Sequence, residues 1–184
     1  MVFPIFVYGS PVLRKVAEEI TKDYPGLQSF ISDMWETMYK SDGIGLAAPQ
    51  VGRSIRLFVI DGSPMEEDDP SMTDFKKVFI NAKIINREGD EWIFNEGCLS
   101  LPNIREDVLR KTRITMEYFD EQFNHHIEDF DGLKARIIQH EYDHLDGVLL
   151  VDHISAIKRK LLAGKLNAIS RGKVDVSYKI KALK

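Results

Sequence analysis

The residues best placed to do chemistry are His140-Glu141-Tyr142-Asp143-His144, with Leu145-Asp146-Gly147 closing the stretch. Histidines four apart lie on one face of an α-helix, one turn apart, so both imidazoles can aim at one point. Glu141 sits roughly 100° further round the helix. It can reach a water at that point but does not fall in the ligand row. Two neutral imidazoles suit Zn or Fe(II), and the adjacent carboxylate suits a general base. H-E-x-x-H also arises by chance on ordinary surface helices, so the flanks must carry part of the argument.

The flanks agree with a helix. Asp131-Gly132 offers an N-cap residue and a start, and Gly147 offers a stop. Leu133 and Ile137 continue the His140/His144 face upstream, which predicts a semi-buried site. A catalytic ion needs a third protein ligand and one open position. In the extended metalloprotease pattern, H-E-x-x-H-x-x-G-x-x-H, that ligand falls at position 150, which is Leu150. No Glu follows Glu141, which excludes a later-helix glutamate. Downstream, Asp152 and His153 remain as candidates.

Upstream, Glu96-Gly97-Cys98-Leu99-Ser100-Leu101-Pro102 holds the single cysteine of the chain. One cysteine makes no internal disulfide, so Cys98 is a packed small side chain, a nucleophile or a metal ligand. The Gly before it and the Pro after Leu101 predict a shaped turn whose N–H groups can face a ligand. Gly43 to Gly52 contains Gly-x-Gly-x-x-Ala, the outline of a dinucleotide fingerprint. That motif needs a strand before and a helix after. Here the pattern predicts the reverse, a helix over Gln28–Lys40 and a strand over Ile55–Ile60. Gly43–Gly52 therefore reads as a loop of small residues that lets another backbone come close. Gln50 within it offers an amide donor and acceptor.

The remaining elements must position these groups. The chain has 184 residues, 43% of them hydrophobic and 29% charged, with a net charge of −4. These values predict one globular domain over 1–184, with no charge signal for DNA. No transmembrane-length apolar run or signal-peptide pattern stands out, and one unpaired cysteine fits a reducing compartment, so cytoplasm is expected. Residues 3–8 read as extended and Pro11–Glu19 as a short capped turn. Asp61 to Asp74 reads as an acidic surface loop. Val78–Ile85 reads as a strand, Glu88-Gly89-Asp90 as a turn, and Arg110–Asp120 as a strand of period two. His125 and His126 would point to opposite faces of a strand, which makes them poor co-ligands. Ile154, Ile157, Leu161 and Leu162 predict a further helix ending near Gly172. Val174, Val176, Tyr178 and Ile180 predict a terminal strand. The fold class expected is α+β: a central metal-binding helix surrounded by small, mostly antiparallel β-sheets.

Three blocks together, Gly43 to Gly52, Glu96 to Pro102 and Gln139 to Gly147, match in order and spacing those of the peptide deformylases, and the chain resembles that family. Tyr8-Gly9-Ser10-Pro11-Val12-Leu13-Arg14 is similar to it as well. The resemblance covers most of the chain. It implies a hydrolase that removes the N-formyl group from the formyl-methionine of new polypeptides and releases formate. It implies Cys98, His140 and His144 as ligands of one divalent metal per chain, Fe(II) natively, with Zn or Ni in purified samples. Cys98 is then the oxidation-prone ligand. Glu141 is the general base, and the Gln50 amide and the Leu99 N–H are carried over as oxyanion donors. Glu96 is expected to orient a ligand histidine or an arginine.

The resemblance further implies that the peptide binds as an extended strand, using backbone near Gly45 and the Cys98 block. Ile44, Leu133 and Ile137 are the candidates for the methionine slot, and Arg105 for the peptide backbone or carboxylate. From Ile154 onward nine Lys or Arg face one acid, Asp175. That reads as a solvated face, with weak ribosome contact as the functional alternative. A metallopeptidase of another class and a purely structural metal site are the competing readings.

Overall fold

The computed structural model describes residues 1–182; Leu183 and Lys184, the end of the basic stretch, lie outside the described residues. After a short strand β1 (Ile5–Phe6) and a 3-10 turn over Pro11–Arg14, the first helix, α1, spans Leu27–Lys40. Its Phe30, Ile31, Met34 and Met38 recur at helical spacing and are all buried.

Gly43–Gly52 differs from the loop expected. It holds a strand, β2 (Gly45–Ala47), and a 3-10 turn over Ala48–Val51. β2 pairs with β3 (Leu57–Asp61), a strand buried at every position. Alternate side chains of a strand point to opposite faces. Leu57 and Val59 pack toward α1, and Phe58 and Ile60 pack toward the second helix, so an unbroken apolar run is what both faces require.

β4 (Lys76–Gly97) and β5 (Arg105–Phe119) form the long arms of the sheet. The turn expected at Glu88–Asp90 is absent. β4 continues through it because β5 supplies partners on both sides, Arg113 for Glu88 and Lys111 for Glu91. The extra residues form a bulge, and Gly89 takes φ +79° there. β6 (His125–Asp131) completes an antiparallel five-stranded sheet in the order β2-β3-β4-β5-β6. His125 and His126 bond Glu117 and Asp120 at 2.8 and 2.9 Å, on the β5 side of this sheet.

β6 runs directly into α2 (Gly132–Leu145). Asp131 is the cap residue, but its side chain makes no capping bond; its extended backbone still pairs with Arg113. Gly147 follows the helix with φ +71°, and a Cβ there would crowd the Arg14 carbonyl at 2.6 Å. Nine of the 14 residues of α2 are buried, including Arg136, Glu141 and His144. The helix is central, with the sheet on one side and the connection from β4 to β5 on another.

The C-terminal part departs furthest from expectation. Two short helices, α3 (Ala156–Leu161) and α4 (Ala163–Ser170), replace one, and Ile157 and Leu161 are 75% and 80% exposed. Burial comes instead from Ile154, Leu166 and Ile169. The alternation from Val174 to Ile180 does appear in burial, but only Ile180–Lys181 form a strand, β7, parallel to β1. A strand exists only where a neighbour supplies ladder partners, and β1 offers two residues after Pro4, which has no N–H. Among the described residues no helix is long and apolar enough to cross a membrane.

Candidate metal centre

α2 carries His140 and His144 on one face, their ring centroids 5.3 Å apart. Cys98 follows the last residue of β4 and starts the turn that returns to β5. Its Sγ lies 3.5 Å from His144 Nε2. One ligand atom from each of Cys98, His140 and His144 falls within 4.8 Å of the others. Burial raises the Cys98 pKa, but the imidazoles of His144 and His140 outweigh it and bring the thiol down to about 5. A thiolate facing two imidazoles is a donor set that fits a divalent cation of intermediate softness.

The other downstream donors are occupied elsewhere. His153 Nε2 meets Asp143 Oδ2 at 2.7 Å, and Asp152 pairs with Arg14. Neither stands in the ligand cluster.

Glu96 ties the centre together. Its Oε2 lies 2.9 Å from His140 Nδ1, which leaves Nε2 of that ring turned to the cluster. The same carboxylate accepts from Arg110 Nε at 2.8 Å and from Arg136 Nη1 at 2.8 Å. Burial pushes Glu96 up, but His140 and Arg110 prevail and hold it well below the usual carboxylate range. So Glu96 contacts both a histidine and arginines, where the sequence left the choice open. Arg110 also reaches Asp143 at 2.8 Å, so the two buried arginines face two carboxylates. Arg110, Arg136 and Asp143 were not singled out from sequence. The available signal was Arg136 one turn before His140, a charge inside an apolar helix face.

Glu141 stands apart from this network. Its residue is 5% exposed and its Oε2 has no hydrogen-bond partner among the described residues. Burial, against the pull of His140 and His144, raises it to about 7. A carboxylate so poised is suited to exchange protons near neutral pH. Gly45 makes room for it: a Cβ at position 45 would overlap the Glu141 carboxylate, with Cδ at 2.8 Å. Within the small-residue segment, it is the Glu141 side chain that comes close at Gly45.

Gln50 is 2% exposed, not a surface turn residue. Its Oε1 accepts from the Ala47 N–H at 2.9 Å; its Nε2 donates to Ser100 Oγ at 3.2 Å and stands 3.7 Å from Cys98 Sγ. The amide is therefore oriented, with its N–H₂ toward the thiol.

A cavity of about 750 Å³ opens on these groups. Ile44, Gly45, Gln50, Leu99, Arg105 and Ile137 line it, as do Cys98, His140 and Glu141. Leu133 does not. It lies seven residues before His140, about 10.5 Å along the helix axis, and packs in the core between α2 and the sheet. Sharing a face did not mean sharing the cavity. Arg105 is folded back on Asn95, with Nε to Oδ1 at 2.9 Å.

Comparison with known proteins identifies the family. The polypeptide deformylase family model matches residues 2–160. The peptide deformylase of Flavobacterium johnsoniae is 54% identical, with 98% of this chain and 96% of that protein aligned. That of Christiangramia forsetii is 50% identical over 98% and 96%. Among solved structures, the Thermotoga maritima peptide deformylase superimposes with a TM-score of 0.76 at 41% identity, covering 84% of this chain and 99% of the other. The Legionella pneumophila peptide deformylase gives 0.81 at 35% identity, covering 94% and 98%. With its sequence blocks, its sheet-and-helix frame and its relatives in agreement, the chain belongs to the polypeptide deformylase family.

Proposed function

We propose that residues 1–184 form one catalytic domain in which Cys98, His140 and His144 hold the metal and Glu141 is the base. The chain is a metallohydrolase that removes the N-formyl group from new polypeptides. The observation that carries the residue assignment is the convergence of three donors within 4.8 Å beside a buried carboxylate, one oxygen of which has no hydrogen-bond partner among the described residues.

The ion, when bound, supplies Lewis acidity and lowers the pKa of water. Glu141 accepts the proton of the water that attacks the formyl carbon and later delivers it to the leaving amine. The products are formate and a free N-terminus. The Gln50 Nε2–H and the Leu99 N–H donate to the oxyanion that develops, and loss of one such donor costs about 10²–10³ in rate. Glu96 holds His140 in the orientation that presents Nε2.

The substrate lies along β2. This strand is an edge of the sheet, and Ile44 and Gly45 face the cavity, so an extended peptide can add to it. Backbone pairing explains tolerance of many sequences after the first residue. Ile44 and Ile137 line the methionine slot, and Arg105 reaches the peptide further out. We assign Fe(II) as the native ion, with Zn or Ni able to replace it, and place the enzyme in the cytoplasm, where one thiolate ligand stays reduced. Weak electrostatic contact with the ribosome belongs to the same reading. It rests on the basic residues from Lys158 onward, and association insensitive to salt would contradict it.

The deciding experiment is formate release from a short N-formyl-methionyl peptide by protein prepared anaerobically with Fe(II). Release establishes the reaction in this chain; no release with metal bound refutes the assignment of the centre as catalytic. The close approach of Gly45 and Glu141 gives a second result to check. Gly45→Ala displaces the carboxylate and lowers kcat by about 10²-fold, the usual cost of a misplaced catalytic group. Circular dichroism of that variant matches wild type. Unchanged turnover would mean that the Glu141 position is not critical.

A further inference from the structure

The chain after α4 comes back to the metal centre. This return lies beyond residue 160, where the match to the family model ends. It is anchored at both ends. Asn103 Nδ2 donates to the Asp175 carbonyl at 3.2 Å, and the Ile5 and Val7 N–H groups donate to Lys179 and Lys181 carbonyls at 2.8 and 3.1 Å. Between the anchors, Asp175, Val176, Ser177 and Tyr178 form a wall of the active-site cavity.

Tyr178 does more than line the wall. Its hydroxyl donates to the Leu99 carbonyl at 2.8 Å. Burial, with the nearby Cys98 charge, pushes the phenol up to about 12, so it is a protonated donor at neutral pH. The Leu101 N–H donates to the Cys98 carbonyl at 2.9 Å, which makes Cys98–Leu101 a β-turn. The Leu99 carbonyl belongs to the central peptide unit of that turn, which takes no part in the closing bond. Outside contacts must hold it. Ser100 is held by the Tyr8 N–H at its carbonyl, 2.9 Å, and by Gln50 at its hydroxyl, 3.2 Å. The Leu99 carbonyl is held by Tyr178. Segments from three distant parts of the sequence thus converge on one ligand-bearing turn.

We propose that Tyr178 is a positioning residue of the deformylase site, whose hydroxyl fixes the central peptide unit of the Cys98–Leu101 turn and so keeps Cys98 Sγ aimed at the point shared with His140 and His144, and the Leu99 N–H at the reacting carbonyl. The inference rests on the roles assigned above to Cys98 and Leu99. It makes the return segment part of the catalytic machinery rather than an appendage. Tyr178 acts through the backbone of Leu99 and need not touch the peptide.

The test is Tyr178→Phe in the full chain, loaded with Fe(II) beside wild type. The ring still packs and only the donor is lost. The expected result is a fall in kcat of about three- to tenfold, the size of one neutral hydrogen bond, with KM within about twofold. Hydrogen exchange of the Leu99, Ser100 and Leu101 amides speeds up by a similar factor, and amides of β5 do not change. An unchanged kcat overturns the proposal, and so does a rise in KM alone, which would make Tyr178 only a wall of the groove. Wild type that releases no formate would refute the deformylase assignment instead, and the exchange measurement still reports whether Tyr178 holds the turn.

Discussion

Glu141→Ala keeps its metal and loses turnover by about 10²–10⁴-fold, the usual contribution of a positioned acid–base group. The reason is geometric. Glu141 lies beside the ligand cluster but outside it, and its Oε2 makes no hydrogen bond among the described residues. Removing it takes away no ligand and no structural partner. It removes a buried carboxyl of the cavity that is raised to about 7 and open to exchange protons; Glu96 is tied to His140 and two arginines. Metal content by elemental analysis and formate release by the same preparation decide the matter together. If the alanine variant lost the ion as well, Glu141 would be a ligand and the division of roles would be wrong. If it turned over at the wild-type rate, the base would be another group.

Cys98→Ser loses the ion. A serine hydroxyl is not ionised at neutral pH, whereas the Cys98 thiol is brought down to about 5 by the imidazoles facing it. The substitution therefore replaces an anionic soft donor with a neutral hard one. Metal affinity falls by more than the roughly 10–100-fold that loss of an outer hydrogen-bond partner costs. Activity falls with occupancy, and dialysis against a chelator strips the variant faster than wild type. Because Cys98 follows β4 and its turn is pinned by Gln50, Tyr8 and Tyr178, the fold around it stays in place. Full occupancy together with full activity in the serine variant would remove Cys98 from the ligand set. The alternative role of Cys98 as nucleophile predicts a different pattern, in which activity disappears and metal content does not change.

What could be read from sequence was local. His140, Glu141 and His144 sit within five consecutive residues, and a helix converts that spacing into geometry with no help from the rest of the chain. α1 and the buried strand β3 were legible for the same reason, since hydrophobic period reports which faces are covered. The family resemblance extended this reach, because three separated blocks matched in order and tied Cys98, Gln50 and Leu99 to the helix.

Tertiary structure decided the rest, and each case has a physical cause. Whether Glu88–Asp90 turns or bulges depends on β5, which supplies partners on both sides of Gly89. Whether Val174–Ile180 forms a strand depends on β1, which is too short to pair with most of it. Leu133 shares the helical face of the histidines but not their cavity, because helical spacing gives direction and says nothing of depth. The arginines that hold Glu96 and the tyrosine that holds the Leu99 turn lie 14, 40 and 79 residues from their partners. No local period links residues so far apart, and Arg110, Arg136 and Tyr178 lie outside all three matched blocks. The sequence by itself determined the reactive groups and the helix that carries two ligands. Only the packing of distant segments decided how those groups are oriented, because hydrogen bonds across the fold act between residues that sequence spacing does not connect.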